Sequence, residues 1–375
     1  MSEHVRTALT TIVEGGTLTL DEARLAMGAV MDGDATPAQL AALLMGLRMR
    51  GETVDELAGF AMAMRERVVR VEAPDGTVDV VGTGGDGSGT FNISTASALV
   101  LAAAGVPVAK HGNRAITSKS GSADVLDALG IRIDHDAESA AAALRDLGFA
   151  FLFAPSFHPA MRHAGPTRKE IGVRTAFNLL GPLTNPAGTR RQLLGVGDAA
   201  AAGRFAEVVH RLGTERTLVV HGAGVDELPL DGTGVMYDVT EEGVDHRFVD
   251  AEALGLRPAA TSKLAGGDAA ANARYVEAVL RGEPGARRDV VLLNAGAAFL
   301  AAGSVETLED GLERAALTID AGLTAELLER LRAERTGAEA HAGAAHAAGA
   351  VGPETGPVTP EPGGRAPTTR AGAGA

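Results

Sequence analysis

The sequence predicts an α/β protein: a small N-terminal helical domain, then a large α/β domain with a mostly parallel central sheet and helices on both faces. Three observations predict it. Before about Val71 leucines recur at helical spacing. From Val78 short β-branched runs alternate with Ala-rich stretches. Around residues 236–249 the alternation becomes that of an antiparallel hairpin.

Leu40, Leu43, Leu44 and Leu47 follow a Thr36-Pro37 start, and Val54, Leu57 and Phe60 follow Thr53, so each set marks one face of a capped helix. Leu43, Leu47 and Met45 are also candidates for a homodimer face, the alternative being that they pack the small domain internally. Strands are expected at 78–81, 106–109, 149–153, 193–196, 217–220 and 290–293. Each is a short apolar run, as strands covered on both faces are. The hairpin turns near Glu241 to Gly243. A helical stretch over 167–180 interrupts the series and is expected to pack back on the N-terminal helices. Past Arg335 large apolar residues give way to Ala, Gly, Pro and Thr, a composition that cannot offset its ordering entropy. The expected domains are 1–72, joined by helices near 167–185; an α/β domain over 73–335; and a disordered tail, 336–375.

Acidic residues outnumber basic ones 48 to 34, so the surface as a whole disfavours nucleic acid and anionic lipid, and an anionic substrate needs a local positive pocket. The absence of cysteine removes disulfides, thiolate nucleophiles and Cys-bound zinc, and it fits a reducing cytoplasm. The N-terminus carries Glu3 and no long apolar run, so neither a signal nor a transit peptide is expected. The best candidate for a membrane span, 97–109, is broken by Gly105 and Pro107 and falls short of the ~18 to 20 apolar residues required.

The most informative stretch runs from a buried strand through Gly82-Thr83-Gly84-Gly85-Asp86-Gly87-Ser88-Gly89-Thr90 into Asn92-Ile93-Ser94-Thr95 at a helix start. Glycines let backbone amides approach an anion, and the helix N-terminus adds unpaired donors, so this is a phosphate cradle. It is neither a dinucleotide fingerprint nor a Walker loop, because the glycine spacing differs and no Gly-Lys-Ser/Thr follows. After the next strand Lys110-His111-Gly112-Asn113-Arg114 adds positive charge, and Ser118 and Ser122 add hydroxyls near another helix start. Asp226-Glu227 offers hard oxygen ligands. No histidine pair has helical zinc spacing, so a structural role is expected for most; His111 is a candidate for stacking on an aromatic substrate or for proton removal.

These segments together resemble the anthranilate phosphoribosyltransferase family. The resemblance extends through His158-Pro159-Ala160-Met161, Arg168-Lys169-Glu170-Ile171-Gly172-Val173-Arg174-Thr175, Phe177-Asn178-Leu179-Leu180-Gly181-Pro182-Leu183 with Asn185-Pro186, and Val225-Asp226-Glu227, from about residue 5 to 334. It implies a Mg²⁺-dependent, cytoplasmic, homodimeric enzyme of tryptophan biosynthesis. Such an enzyme transfers phosphoribose from phosphoribosyl pyrophosphate to the amine of anthranilate, with no enzyme nucleophile. It further implies that the sugar diphosphate meets Gly82, Gly85, Asp86, Thr90, Asn92, Ile93, Ser94, Thr95, Lys110, His111, Gly112, Asn113, Arg114, Ser118 and Ser122. Anthranilate would meet Gly82, Asn113 and Arg168, with Arg162 and Arg174 as competitors for its carboxylate. Ser94, Asp226 and Glu227 would place the metal. One departure is Ala271, where the family often has Glu. The rival readings are a pyrimidine nucleoside phosphorylase, which needs no metal site at Asp226-Glu227, and a non-catalytic nucleic-acid-binding relative, which the acidic composition disfavours.

Overall fold

The computed structural model describes residues 2–115 and 119–349. The chain divides into the compact units Met1–Arg335 and Thr336–Ala375. It opens with four helices, α1 (Glu3–Val13), α2 (Leu20–Met31), α3 (Pro37–Arg50) and α4 (Val54–Arg65). Thr19, Thr36 and Thr53 cap the last three, and Glu22, Gln39 and Glu56 return a bond to the cap's backbone, so local chemistry sets each start. Leu43 and Leu47 are at 0% exposure inside one chain, which removes them from any dimer face; Met45 is half-buried. They fill the bundle instead, because both lie on the stripe that α3 turns towards its neighbours.

The α/β part follows as β1 (Val78–Gly82), α5 (Ile93–Ala103), β2 (Val108–Gly112), α6 (Ser122–Ala128), α7 (Ala137–Leu147) and β3 (Phe149–Phe153). Three short helices come next: α8 (Ala154–Phe157), α9 (Gly165–Ile171) and α10 (Phe177–Leu180). Then come β4 (Arg191–Gly195), α11 (Ala199–Arg211), β5 (Arg216–Gly222), β6 (Thr233–Thr240) and β7 (Val244–Asp250). The chain closes with α12 (Ala269–Leu280), α13 (Ala286–Ala301), α14 (Leu308–Asp320) and α15 (Leu323–Gly349). The sheet order is β3-β2-β1-β4-β5-β6-β7, parallel from β3 to β5, with the β6–β7 hairpin antiparallel at one edge.

Strand alternation divides the core. Val80, Leu193, Leu218 and Met236 face a cluster with α5 and α13, whereas Leu194, Val219 and Val239 face α11 and the helical bundle. Ala164, Phe177, Leu180 and Leu183 share that second cluster, so the segment around α9 and α10 packs with the N-terminal helices.

Two expectations are corrected. Residues 290–293 are not a strand but part of α13, in which every residue from Val290 to Ala301 is buried. A helix enclosed on all sides shows no polar face, so its Val-Val-Leu-Leu run has the pattern of a buried strand. Gly296 meets Gly311 of α14 backbone to backbone, a close approach that side chains would prevent. The second correction is within the tail expected to be disordered over 336–375: its residues 336–349 are helical, as part of α15. Alanine dominates there, and extending an existing helix needs no new nucleus. Residues 350–375 lie outside the described part.

Candidate active site

β1 and β4 are neighbours where the strand order reverses, and open α/β sheets bind ligands beyond the carboxyl ends of strands at such a point. The glycine loop after β1 and the acidic turn after β5 meet there. Gly84, Gly85, Gly87 and Gly89 all take positive φ, which L side chains rarely adopt, so the glycine run is a backbone requirement. Asp226 Oδ2 accepts the Gly84 amide at 2.8 Å. A methyl group on Gly82 or Gly195 would overlap Asp226, so the acidic turn sits directly on the ends of β1 and β4. Arg174 donates to the carbonyls of Gly84 at 3.2 Å and Gly85 at 2.9 Å and so holds the loop from another side.

Asp86, Asp226 and Glu227 each bring a carboxylate oxygen within 4.8 Å of the other two. Asp86 Oδ2 and Glu227 Oε2 are enclosed without a hydrogen-bond partner. Burial, then the Asp226 and Asp86 charges, hold the Glu227 carboxyl well above its usual range, and Asp226 is raised by burial and by Asp86. Crowded acids with orphaned oxygens fit a small hard divalent cation that keeps part of its water shell. Sequence reasoning places Asp86 with the phosphate ligands and misses it as the third acid, since nothing local links it to a turn so far along the chain.

The pleat of β2 sends Lys110 and His111 to opposite faces. Lys110 is 2% exposed and donates to the Val80 carbonyl and, at 3.4 Å, to Ser94 Oγ at the start of α5. Burial pulls its ammonium down to about 8 against the attraction of Asp79, Glu227 and Asp226. On the phosphate side Ile93 is 1% exposed, which leaves only its backbone for a ligand. Asn92 Oδ1 takes a bond from Asn272 at 2.9 Å, and the Thr95 hydroxyl is buried without a partner. Ser88 and Thr90 share a hydroxyl contact at 3.2 Å. Ser122 Oγ donates to the Asn113 carbonyl, and Arg114 is paired with Asp124 at 2.9 Å and Asp127 at 3.3 Å. Ser118 lies outside the described residues.

His111 faces a cavity of about 580 Å³ that Gly82, Gly112, Asn113, His158, Arg168 and Phe177 also line. Arg168 stacks 4.8 Å from the Phe177 ring centre, and burial lowers the pKa of its guanidinium. Among the described residues it makes no ion pair with Glu170 or any other acid, while Arg162 bonds His163 and Arg174 is committed to the glycine loop. His111 Nδ1 lies 3.1 Å from the Gly181 carbonyl and its Nε2 3.2 Å from His158 Nε2. Burial takes His111 down to about 3 and His158 to about 4, so both rings are neutral near pH 7. A carbonyl only accepts, so the neutral His111 ring carries its proton on Nδ1 and presents an unprotonated Nε2 to His158, whose own proton is also drawn by the Thr184 backbone. Asp79, wholly buried and pushed up to about 6 by burial, binds Asn185 at 2.7 Å and the His111 amide at 3.3 Å, which anchors the end of β2. Asp79, Asn272 and the clamp role of Arg174 carry no sequence signal except a polar residue inside a strand or a turn, whereas Asn185 lies in the Asn185-Pro186 motif, which does not reveal its bond to Asp79.

Residues 74–325 match the Glycosyl transferase family, a/b domain, and residues 6–68 match the Glycosyl transferase family, helical bundle domain. The chain is 51% identical to anthranilate phosphoribosyltransferase of Azorhizobium caulinodans, over 88% of this chain and 96% of that one. It is 50% identical to the same enzyme of Thermomicrobium roseum, over 88% and 96%. Among solved structures, anthranilate phosphoribosyltransferase from Thermus thermophilus superposes with a TM-score of 0.83 at 45% identity, covering 88% of this chain and 99% of that one. The Saccharomyces cerevisiae enzyme, in complex with PRPP and Mg, gives 0.81 at 26% identity, covering 90% and 99%. With both domains matched and half its residues shared along nearly the full length of such relatives, the chain belongs to the anthranilate phosphoribosyltransferase family.

Proposed function

We propose that this chain transfers the phosphoribosyl group of phosphoribosyl pyrophosphate to the amine of anthranilate, giving N-(5-phosphoribosyl)anthranilate and pyrophosphate in tryptophan biosynthesis. The observation that carries this reading is the Asp86, Asp226 and Glu227 cluster beside the glycine loop, together with a cavity of about 580 Å³ that holds an arginine with no acidic partner among the described residues. The amides from Gly82 to Thr95, with Lys110, Ser94 and Ser122, are the groups for the sugar diphosphate. Asn113 and Arg168 are those for anthranilate, whose carboxylate suits a planar guanidinium fork. Ser94, Asp226 and Glu227, joined by Asp86, would hold Mg²⁺, which supplies positive charge to the departing pyrophosphate.

The carbon–nitrogen bond forms at the anomeric carbon as the carbon–oxygen bond to pyrophosphate breaks. An aromatic amine is neutral near pH 7, so it attacks without prior deprotonation, the extra proton on nitrogen then passes to pyrophosphate or water, and no enzyme nucleophile is needed. The protein positions two substrates and balances charge. We further propose division into a helical domain over 1–72 with the 167–185 segment and an α/β domain over 73–335, a cytoplasmic location, and action as a homodimer. Among the described residues no helix is long and apolar enough to cross a membrane. Val13 and Met49 are the exposed apolar groups on α1 and α3 available to a second copy.

The test is product formation from phosphoribosyl pyrophosphate and anthranilate with and without EDTA, beside phosphate-dependent cleavage of thymidine. EDTA-sensitive transfer supports the reading. Thymidine cleavage without transfer assigns the chain to nucleoside phosphorolysis instead.

A further inference from the structure

A second cavity, of about 910 Å³, is built from residues 255–263, α12 and the start of α13, and it shares no residue with the aromatic cavity. Arg257, Lys263, Arg274, Arg287 and Arg288 line it, against two acids, Glu283 and Asp289. In a chain of net charge −14 this is a local reversal of sign. Arg288 pairs with Asp320 at 2.7 Å and, with Arg257, acts on the Asp289 charge, but Lys263 and Arg274 are exposed and make no side-chain ion pair or hydrogen bond among the described residues. Arginines elsewhere on the surface, such as Arg190, Arg281 and Arg332, face carboxylates.

Arg287 lies 3.8 Å above the Tyr275 ring, and the Nε atoms of Arg287 and Arg288 are enclosed without acceptors. On the same wall Gly285 begins α13 with no side-chain cap, which leaves the amides of its first turn as donors. Like charges gathered on a concave wall repel one another and focus a positive potential, and a bound anion relieves both effects. Guanidinium forks, a lysine and helix-start amides together match the clustered tetrahedral oxygens of phosphate. We propose that this cavity binds a small anion carrying two or more phosphate groups, and that its occupancy stiffens the glycine loop from behind.

The second half of the proposal rests on shared backbone. Ala265 bridges Thr90, the Leu264 carbonyl accepts the Phe91 amide at 2.9 Å, and the Gly89 carbonyl accepts the Gly266 amide at 2.8 Å. Arg287 donates to the Ala265 carbonyl at 3.3 Å and so ties the cavity wall to the same strand-like segment. The inference stands on charge and geometry and does not depend on which reaction the active site performs.

The test titrates the full chain with sodium tripolyphosphate in magnesium-free buffer by calorimetry. Three proteins are compared: the unaltered chain, Lys263→Gln/Arg274→Gln, and Lys110→Gln, which weakens the catalytic cradle. The Lys110→Gln protein keeps one binding event, and the probe slows its amide exchange over 261–266 and 89–91. The double variant loses affinity for that event by about tenfold or more, with its thermal unfolding midpoint unchanged in the absence of probe. Should that midpoint fall, the single exposed variant Arg257→Gln carries the same expectation of weakened binding. Equal affinity in the charge variants, loss of all binding in Lys110→Gln, or exchange unchanged in both segments overturns the proposal.

Discussion

Asp226 accepts the amide of Gly84 across 142 positions of sequence, and the same side chain stands within ligand distance of Glu227 and Asp86. One carboxylate therefore both sets the shape of the glycine loop and completes the acid cluster. Asp226→Asn keeps the size and an oxygen for the Gly84 amide but removes the charge. Turnover is expected to fall by roughly 100- to 1000-fold, with a higher Mg²⁺ concentration for half-maximal rate. The thermal midpoint should hold or rise, since repulsion among buried acids is relieved. Steady-state rates across a magnesium series decide it, and activity within about threefold of the original, a difference under 1 kcal/mol, would remove Asp226 from the metal site.

Gly195 tests the same junction through backbone. A methyl group there meets the Asp226 carbonyl, which cannot swing aside as a side chain could. Gly195→Ala is expected to destabilise the fold by about 1 to 3 kcal/mol and to displace the acidic turn, so that loss of activity accompanies the lower urea midpoint. A variant of normal stability and normal rate would show that the turn moves freely against β4.

Much of this arrangement is legible in the sequence because it is local. Capping threonines, a glycine-rich loop and short apolar strand runs each announce themselves within a few positions. The enclosed helix α13 defeats the same rules, since a segment buried on every side has no amphipathic period to read. The partners of the site fail to show for a different reason. Asp79 with Asn185, His111 with His158 and Asp86 with Asp226 are contacts made by strand order and pleat, and no spacing along the chain encodes them. Leu43 and Leu47 illustrate the limit of apolar pattern alone, which marks a face without saying whether the chain itself or a second copy covers it.

Arg174 donates to two glycine-loop carbonyls from outside the cradle and makes no ion pair among the described residues. Its expected effect is on loop order rather than on chemistry. Arg174→Ala should raise KM for phosphoribosyl pyrophosphate by about tenfold, the worth of a charge-assisted hydrogen bond, while kcat changes little. Faster amide exchange over residues 83–90 should accompany it. A fall in kcat with unchanged KM would instead place Arg174 against the reacting atoms.

The buried histidine pair makes stability depend on pH in a direction that can be worked out. His158 is depressed from 6.5 to about 4, mainly by burial, with the Thr184 backbone opposing the shift. Between those values the unfolded chain binds a proton that the folded chain refuses, so stability rises with pH over this window and is lost as pH falls from 6.5 towards 4. The full shift corresponds to something on the order of 3 kcal/mol. His111 contributes in the same sense, being pulled down to about 3 by burial and by His158. His158→Gln removes one titrating ring while leaving an amide that can still reach His111. The variant is expected to be less stable than the original at pH 7, through lost packing, and the difference should shrink or reverse by about pH 4.5, where the depressed ring no longer favours the original. Urea midpoints at the two pH values measure this directly; a gap that stays constant would mean that His158 is protonated in the folded protein as readily as in the unfolded chain.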